Sequence, residues 1–426
     1  MSSQEMYRYL QRLFPICRSL TGQGVRDTFA ILQEIAPLNL TEVPSGTKVF
    51  DWVVPPEWNV RDAYVADLSG RHVIDFKRHN LHLMGYSMPF EGNVSLEDLQ
   101  KHLYSLPEQP GVIPYVTSYY QPRWGFCLAD QQRRELKDPF YQVKVDTTLE
   151  PGSMTMGDLV IPGDTKDEVF FSTYICHPSM ANNELSGPIV AAFLAKELLS
   201  RPKRRYTYRF AFVPETIGAI AYLSKHLHHL RKHVKAGYVI TCVGDPGPYS
   251  YLETRLGDTL SDRVAQHILE HIEGETRWYS WLQRGSDERQ YGWPGVDLPI
   301  GSLMRSKYGE YPEYHTSADD LDFVHPKALG QSLDMYLKAI DVLENNYRYC
   351  CTTLCEPQMG RRGLYPTVST RTSGLSAREL VDILAYSDGK TDLLDIADRL
   401  HKPVWECMEP IQKLIEAELL TSDKHG

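Results

Sequence analysis

The strongest constraint on this chain is an alternation of strand-like and helix-like runs, interrupted by one short stretch of polar chemistry. Segments 168–173, 206–214 and 236–243 read as strands, and 188–200, 216–234 and 258–273 as helices. Such alternation predicts a parallel sheet with helices on both faces. The amphipathic stretch 326–347 closes that domain. The polar stretch, 174–188, reads YICHPSMANNELSGP and follows the apolar run Val169-Phe170-Phe171. It puts His177 and Glu184 where a strand ends and a helix begins, which is where open α/β sheets hold ligands.

The rest of the chain is organised around that sheet. Its 426 residues predict two or three domains. Helical spacing covers 3–36, with Gly22 and Gly24 separating two helices. Aromatics, prolines and short β-branched runs dominate from about residue 43 to 154, so that part reads as mainly β. The expected division is an α/β domain from 1–45 and 155–350, an inserted β-rich domain at 46–154, and a winged helix-turn-helix domain at 361–426. The inserted domain is expected to wall one side of the cleft.

Charge and cysteine usage exclude several classes. A net charge of −10 argues against a general nucleic-acid binder and gives no built-in attraction to anionic membranes. The winged-helix segment 361–426 carries nine Lys/Arg against eleven Asp/Glu, so it reads as a protein-interaction or homo-oligomerising element before a DNA-binding one. No run reaches the length of a membrane span, and the N-terminus lacks a signal-type apolar core, so the expected location is cytoplasmic. The eight scattered cysteines are then expected as free thiols. Cys350, Cys351 and Cys355 lack a second ligand pair at zinc-finger spacing.

Candidate chemistry gathers at the expected strand ends: His177, Glu184, Glu215 after YRFAFVP, Asp287 in GSDERQY and His315 in EYPEYHTSADD. Imidazole and carboxylate are the ligands zinc takes in the absence of cysteine, and a catalytic zinc needs about three plus water. Each residue also has a plain reading as a cap or a first-turn acid, so the case rests on the combination. Arg305, Lys307 and Tyr308, just upstream of His315, are candidates for binding a substrate carboxylate. The histidine-rich run 225–233 reads as a solvated helix face, with Leu227, Leu230 and Val234 turned inward. No P-loop, G-x-G-x-x-G or G-x-S-x-G elbow is present.

In order, HPS followed by ANNELSG, then PETIG, SDERQY and YHTSADD resemble the co-catalytic zinc aminopeptidases of the M28 type. The resemblance is closer to bacterial aminopeptidase-like proteins labelled as polysaccharide-biosynthesis proteins, and it covers essentially the whole chain. It implies a three-layer zinc-aminopeptidase-like sheet domain with an inserted β-rich domain and a C-terminal winged helix. It also implies a zinc cofactor, one or two ions, with Asp287 and His315 as ligands and Glu215 as the general base. The family's bridging aspartate falls on Asn183, beside Glu184, and its second glutamate on Thr216. Its first ligand histidine aligns with His177 or with Tyr174. If His177, Glu184, Glu215, Asp287 and His315 all bind two metals, no carboxylate is left as a base; one metal leaves Glu215 free.

Two functions follow. One is a zinc-dependent hydrolase of aminopeptidase type acting on a small peptide or amide-bearing metabolite, its metal-bound water activated by Glu215. The other is a catalytically impaired peptidase-fold binding or assembly protein linked to polysaccharide biosynthesis, marked by Asn183 and Thr216.

Overall fold

The computed structural model describes residues 3–364 and 374–422. Its centre is an eight-stranded sheet: β1 (Asn39–Pro44), β2 (Ser153–Ile161), β3 (Glu168–Tyr174), β4 (Thr207–Val213), β5 (Val234–Val239), β6 (Tyr249–Leu252), β7 (Thr276–Tyr279) and β8 (Ile300–Met304). The spatial order is β1-β2-β4-β3-β5-β8-β6-β7. The central strands β4, β3, β5 and β8 run parallel. Every residue of β3 is buried, as expected for a parallel strand covered on both faces.

The sheet is mixed, which is one departure from the sequence expectation. On one side β1 and β2 pair antiparallel, and β2 runs antiparallel to β4. On the other, β6 runs antiparallel to β8. Apolar periodicity marks a strand without marking its direction, so pairing sense could not be read from it.

Helices cover both faces of this sheet. Helix Ser186–Ser200 is buried over most of its length, with only its last turn reaching solvent. Its start packs against β5 through Gly187. A Cβ added there would lie 2.3 Å from the Ile240 carbonyl oxygen and 2.7 Å from Thr173 Oγ1. Helix Ile217–His233 follows β4, and its Leu223 and Leu230 are buried.

The region between β1 and β2 carries its own four-stranded antiparallel sheet, in the order His72–Asp75, Glu57–Ala66, Phe140–Glu150, Phe90–Ser95. A loop of this region is stitched to the segment carrying His315. Tyr115 N–H donates to the His315 carbonyl at 2.8 Å, and Ser317 N–H to that of Ile113 at 2.8 Å.

The chain separates into two compact units: residues 1–261 with 275–333, and 262–274 with 334–426. The second holds a three-stranded sheet of Arg348–Cys351, Asp388–Asp392 and Leu420–Ser422, with helices Gly374–Tyr386, Leu393–Arg399 and Val404–Glu416. Residues 262–271 join this unit through Arg263, which bonds Asp392 and Asp395, and His267, whose Nδ1 lies 2.6 Å from Asp398 Oδ1. Of the segment expected as a winged helix, residues 365–373 and 423–426 lie outside the described residues. All eight cysteines are free. Among the described residues no helix is long and apolar enough to cross a membrane.

Gly187→Ala is expected to destabilise the protein by about 3 kcal/mol, because backbone rather than a flexible side chain opposes the added carbon. Urea denaturation measures this; a loss near zero would mean that the helix and strand can separate freely.

Candidate functional site

Immediately after β3 the chain crosses from strand to helix through a π-turn, Ala181–Leu185, all of it buried. Asp319 fixes this turn: its carboxylate accepts from Asn182 N–H at 2.6 Å and Asn183 N–H at 2.9 Å. Asp245 holds the same turn from the other side, accepting from Asn182 Nδ2 at 3.0 Å. Burial, countered by those backbone donors, pushes the Asp319 carboxyl up to about 7.

The turn places Glu184, with no exposed surface, behind His177. Glu184 Oε2 lies 2.8 Å from His177 Nδ1, and Oε1 accepts from Cys176 N–H at 2.5 Å. The buried guanidinium of Arg18 completes the group. Its Nε donates to the His177 carbonyl at 3.0 Å and lies 3.7 Å from Glu184 Oε1. Burial lowers the affinity of His177 for its proton, but the bond to Glu184 and the charges of Glu184 and Glu215 outweigh it, so the pKa is raised.

His177 turns its other nitrogen outward, with Nε2 3.5 Å from Glu215 Oε2. Glu215 is the carboxylate of this group that reaches solvent, with 22% of its side chain exposed. Asp287 is fully buried; its Oδ1 accepts from Thr216 N–H at 2.7 Å, while Oδ2 is buried without a partner. Burial raises both carboxyls above the ordinary range, and for Asp287 the charge of Glu215 adds to it. His315 stacks on Tyr314 and faces His177 with ring centroids 5.4 Å apart. Burial, then the charge of His177, lowers its pKa to about 3, which keeps it neutral. Tyr115 packs against both imidazoles, its centroid 5.1 Å from His177 and 5.2 Å from His315.

The backbone here is strained. Ser179, Thr216, Cys242 and His315 all have positive φ, the left-handed region that suits glycine. For β-branched Thr216 this is a marked outlier, held by Asp287 on its N–H and by Arg289 Nη2, which donates to Oγ1 at 2.5 Å. Strain of this kind concentrates at functional sites and persists only where the surroundings enforce it.

Of the sequence candidates, His177, Glu184 and Glu215 are in direct contact or nearly so, and His315 and Asp287 flank them. Their donor atoms do not form one cluster. Among the described residues, the metal-ligating group whose donor atoms lie within 4.8 Å of one another is Cys176, His177 and Glu184. At the position where a first ligand histidine was possible, the Tyr174 hydroxyl donates to Asn183 Oδ1 at 2.8 Å. Thr241 Oγ1 lies 2.6 Å from the same phenol oxygen.

The three candidates near residue 305 differ from one another. Arg305 is 5% exposed, stacks 3.9 Å above Tyr249, and leaves Nε and Nη1 buried without partners. Lys307 Nζ donates to the Tyr308 carbonyl, and Tyr308 Oη donates to Glu288 and accepts from Gly285 N–H, so both brace the loop. Sequence reasoning missed Arg18, Tyr115, Asp319 and Arg289. Asp319 and Arg289 lay inside motifs already singled out, whereas nothing local marked Arg18 or Tyr115.

This sheet, with its chemistry at the carboxyl ends of parallel strands and a histidine–carboxylate cleft, defines an aminopeptidase-like fold. Similarity to solved structures agrees. A zinc aminopeptidase from Bacillus subtilis superposes with a TM-score of 0.58 at 13% identity, covering 80% of this chain and 94% of the other. An M28 peptidase precursor from Shewanella amazonensis gives 0.56 at 14% identity over 83% and 96%. A crystal structure from Clostridium acetobutylicum described as a peptidase reaches 0.93 at 43% identity over 99% and 96%.

The sequence matches a family described as a domain of unknown function, DUF4910, over residues 7–346, and a winged helix-turn-helix over 347–422. A protein from Clostridium acetobutylicum named as a polysaccharide biosynthesis protein with an aminopeptidase-like domain is 46% identical over 395 residues, 92% of this chain and 90% of that one. The chain belongs to this aminopeptidase-like DUF4910 family.

Glu184→Gln is expected to cost about 3 kcal/mol, since it leaves the buried Arg18 without its countercharge. By NMR the His177 pKa should fall below the ordinary 6.5. The raised His177 value contributes stability below pH 6.5 that fades as pH rises through the folded value, and this contribution should vanish in the variant. An unchanged His177 titration would contradict the network.

Asp319 acts over a window set by its own shift. Its folded value of about 7 against an ordinary 3.8 means that the folded state holds the proton longer. Its contribution to stability therefore falls as pH rises from 3.8 to 7. Asp319→Asn should flatten that decline in unfolding free energy; an unaltered slope would assign it elsewhere.

Proposed function

We propose that this chain is a peptidase-fold binding protein, whose cleft receives a small peptide or amide-bearing ligand without two-zinc hydrolysis. The observation that carries this reading is the hydrogen bond from the Tyr174 phenol to the Asn183 amide. Where the family resemblance puts a bridging aspartate and a ligand glutamate, this chain offers the Asn183 amide and the Thr216 hydroxyl, and Tyr174, one of the two candidates with His177 for the ligand-histidine position, offers a phenol. None of the three supplies the neutral imidazole or carboxylate that zinc takes. Thr216 turns its N–H toward Asp287 Oδ1, which leaves Oδ2 as the one oxygen of Asp287 without a partner. The residues do not fit a zinc pair.

A binding role draws on what remains. Glu215, partly exposed beside His177, is placed to accept a hydrogen bond from a ligand's amine or amide N–H. The rings of Tyr115 and Tyr314 give the cleft an apolar wall. Arg305, with two unpaired nitrogens, is the residue we assign to an anionic group on the ligand, because a buried unpaired guanidinium is costly. The name of the Clostridium relative supports polysaccharide biosynthesis as the setting.

One observation favours a second reading, a hydrolase with a single zinc. The Cys176, His177 and Glu184 donors lie close together, and His177 Nε2 is 3.5 Å from Glu215 Oε2. Elemental analysis and turnover separate the two. Protein purified without chelator is expected to carry substoichiometric zinc and to release no amine from a panel of aminoacyl anilides. Replacing Tyr174 by His, Asn183 by Asp and Thr216 by Glu together should create stoichiometric zinc binding. Stoichiometric zinc in the native protein, with turnover abolished by Glu215→Gln and the metal retained, would overturn the proposal in favour of the single-zinc hydrolase.

A further inference from the structure

Beside the cleft, a surface groove is built from a hairpin that the site chemistry does not use and from the outer faces of elements that also carry Asp287 and Arg289. On one side stands a hairpin of Lys48–Val49 and Trp52–Val53, joined by the two-residue turn Phe50-Asp51. Opposite it run helix Ile217–His233 and the segment 282–296. Two adjoining cavities, of about 850 and 660 Å³, follow this line, and Phe50 borders both.

The turn is unusual in its chemistry. Phe50 has φ +52°, at the first central position of a two-residue hairpin loop, a place that favours glycine. A bulky residue there is strained. The aromatic Phe50 is 53% exposed. Trp293 across the groove is 57% exposed and Leu282 84%. Large apolar side chains gathered on one exposed groove mark an interaction site.

The charge around these rings has one dominant sign. Lys225, Arg231 and Lys232 line the smaller cavity, and Arg284 and Arg289 the larger, against one acid, Asp51. Among the described residues none of these five cations lies within ion-pair distance of a carboxylate. In a chain of net charge −10, this is a local basic field on an acidic protein. The larger cavity is also walled by Ile220, Leu223, Leu227 and Val296, which offer no hydrogen bonds to sugar hydroxyls.

We propose that this groove docks an acidic, apolar-studded peptide segment of a partner protein. Acidic side chains pair with the five cations while apolar ones fill the space between Phe50, Trp293 and Leu282. This surface stands independently of the reading of the cleft, although Arg289 reaches Thr216 and so borders both.

The test uses the full-length protein and a fluorescein-labelled peptide of alternating glutamate and leucine, read by anisotropy. A lysine–leucine peptide, a sulfated oligosaccharide and a single-stranded oligonucleotide serve as controls. The acidic peptide is expected to bind at least roughly tenfold more tightly than any control, and to weaken as salt rises. Phe50→Gly should relieve the backbone strain, so its thermal stability holds or rises while affinity falls roughly tenfold or more. Combined Arg231→Glu and Lys232→Glu should reduce the salt dependence. Equal binding of the lysine–leucine peptide, tighter binding of either polyanion, or unchanged affinity in Phe50→Gly would overturn the proposal.

Discussion

The cleft depends on one buried carboxylate. Glu184 has no exposed surface and is stabilised by three partners: the Cys176 N–H, the His177 imidazole and the Arg18 guanidinium. A carboxylate removed from water is tolerable only when its charge and lone pairs are met in this way. The network ties the N-terminal helical region to the end of β3 and fixes which nitrogen of His177 faces the cleft. Asp319 does the corresponding work for the backbone of the next turn. Positive φ angles at Ser179, Thr216 and His315 accompany this framework, and at Thr216 the strained residue is held by Asp287 and Arg289.

Much of the fold was legible because buried parallel strands leave continuous apolar runs. Val169-Phe170-Phe171 lies inside β3, and the run expected at 206–214 became Thr207–Val213. The short strands Tyr249–Leu252 and Thr276–Tyr279 escaped notice, because four residues are too few for a period to emerge. The cleft residues were legible as types at strand ends, whereas their pairing was not. Arg18 and Glu184 are far apart in sequence, and nothing near Arg18 marks it as the countercharge for a strand-end acid. The hydrogen bond from Thr216 N–H to Asp287 is likewise a product of tertiary packing.

This chain shares the aminopeptidase-like scaffold of its relatives. In the cleft the Tyr174 phenol donates to the Asn183 amide oxygen, and the Thr216 hydroxyl accepts from the Arg289 guanidinium. The phenol and the amide satisfy each other, so neither is left as an unpaired buried polar group. A fold of this kind can host binding as readily as hydrolysis, because function resides in the site and not in the architecture.

The most direct test is a crystal structure from zinc-containing solution, with anomalous scattering recorded on both sides of the zinc edge. We expect the Tyr174–Asn183 hydrogen bond in density and no ordered zinc peak beside Asp287 and His315. A full-occupancy peak coordinated by Asp287, His315 or His177 would contradict the account and restore a metallohydrolase.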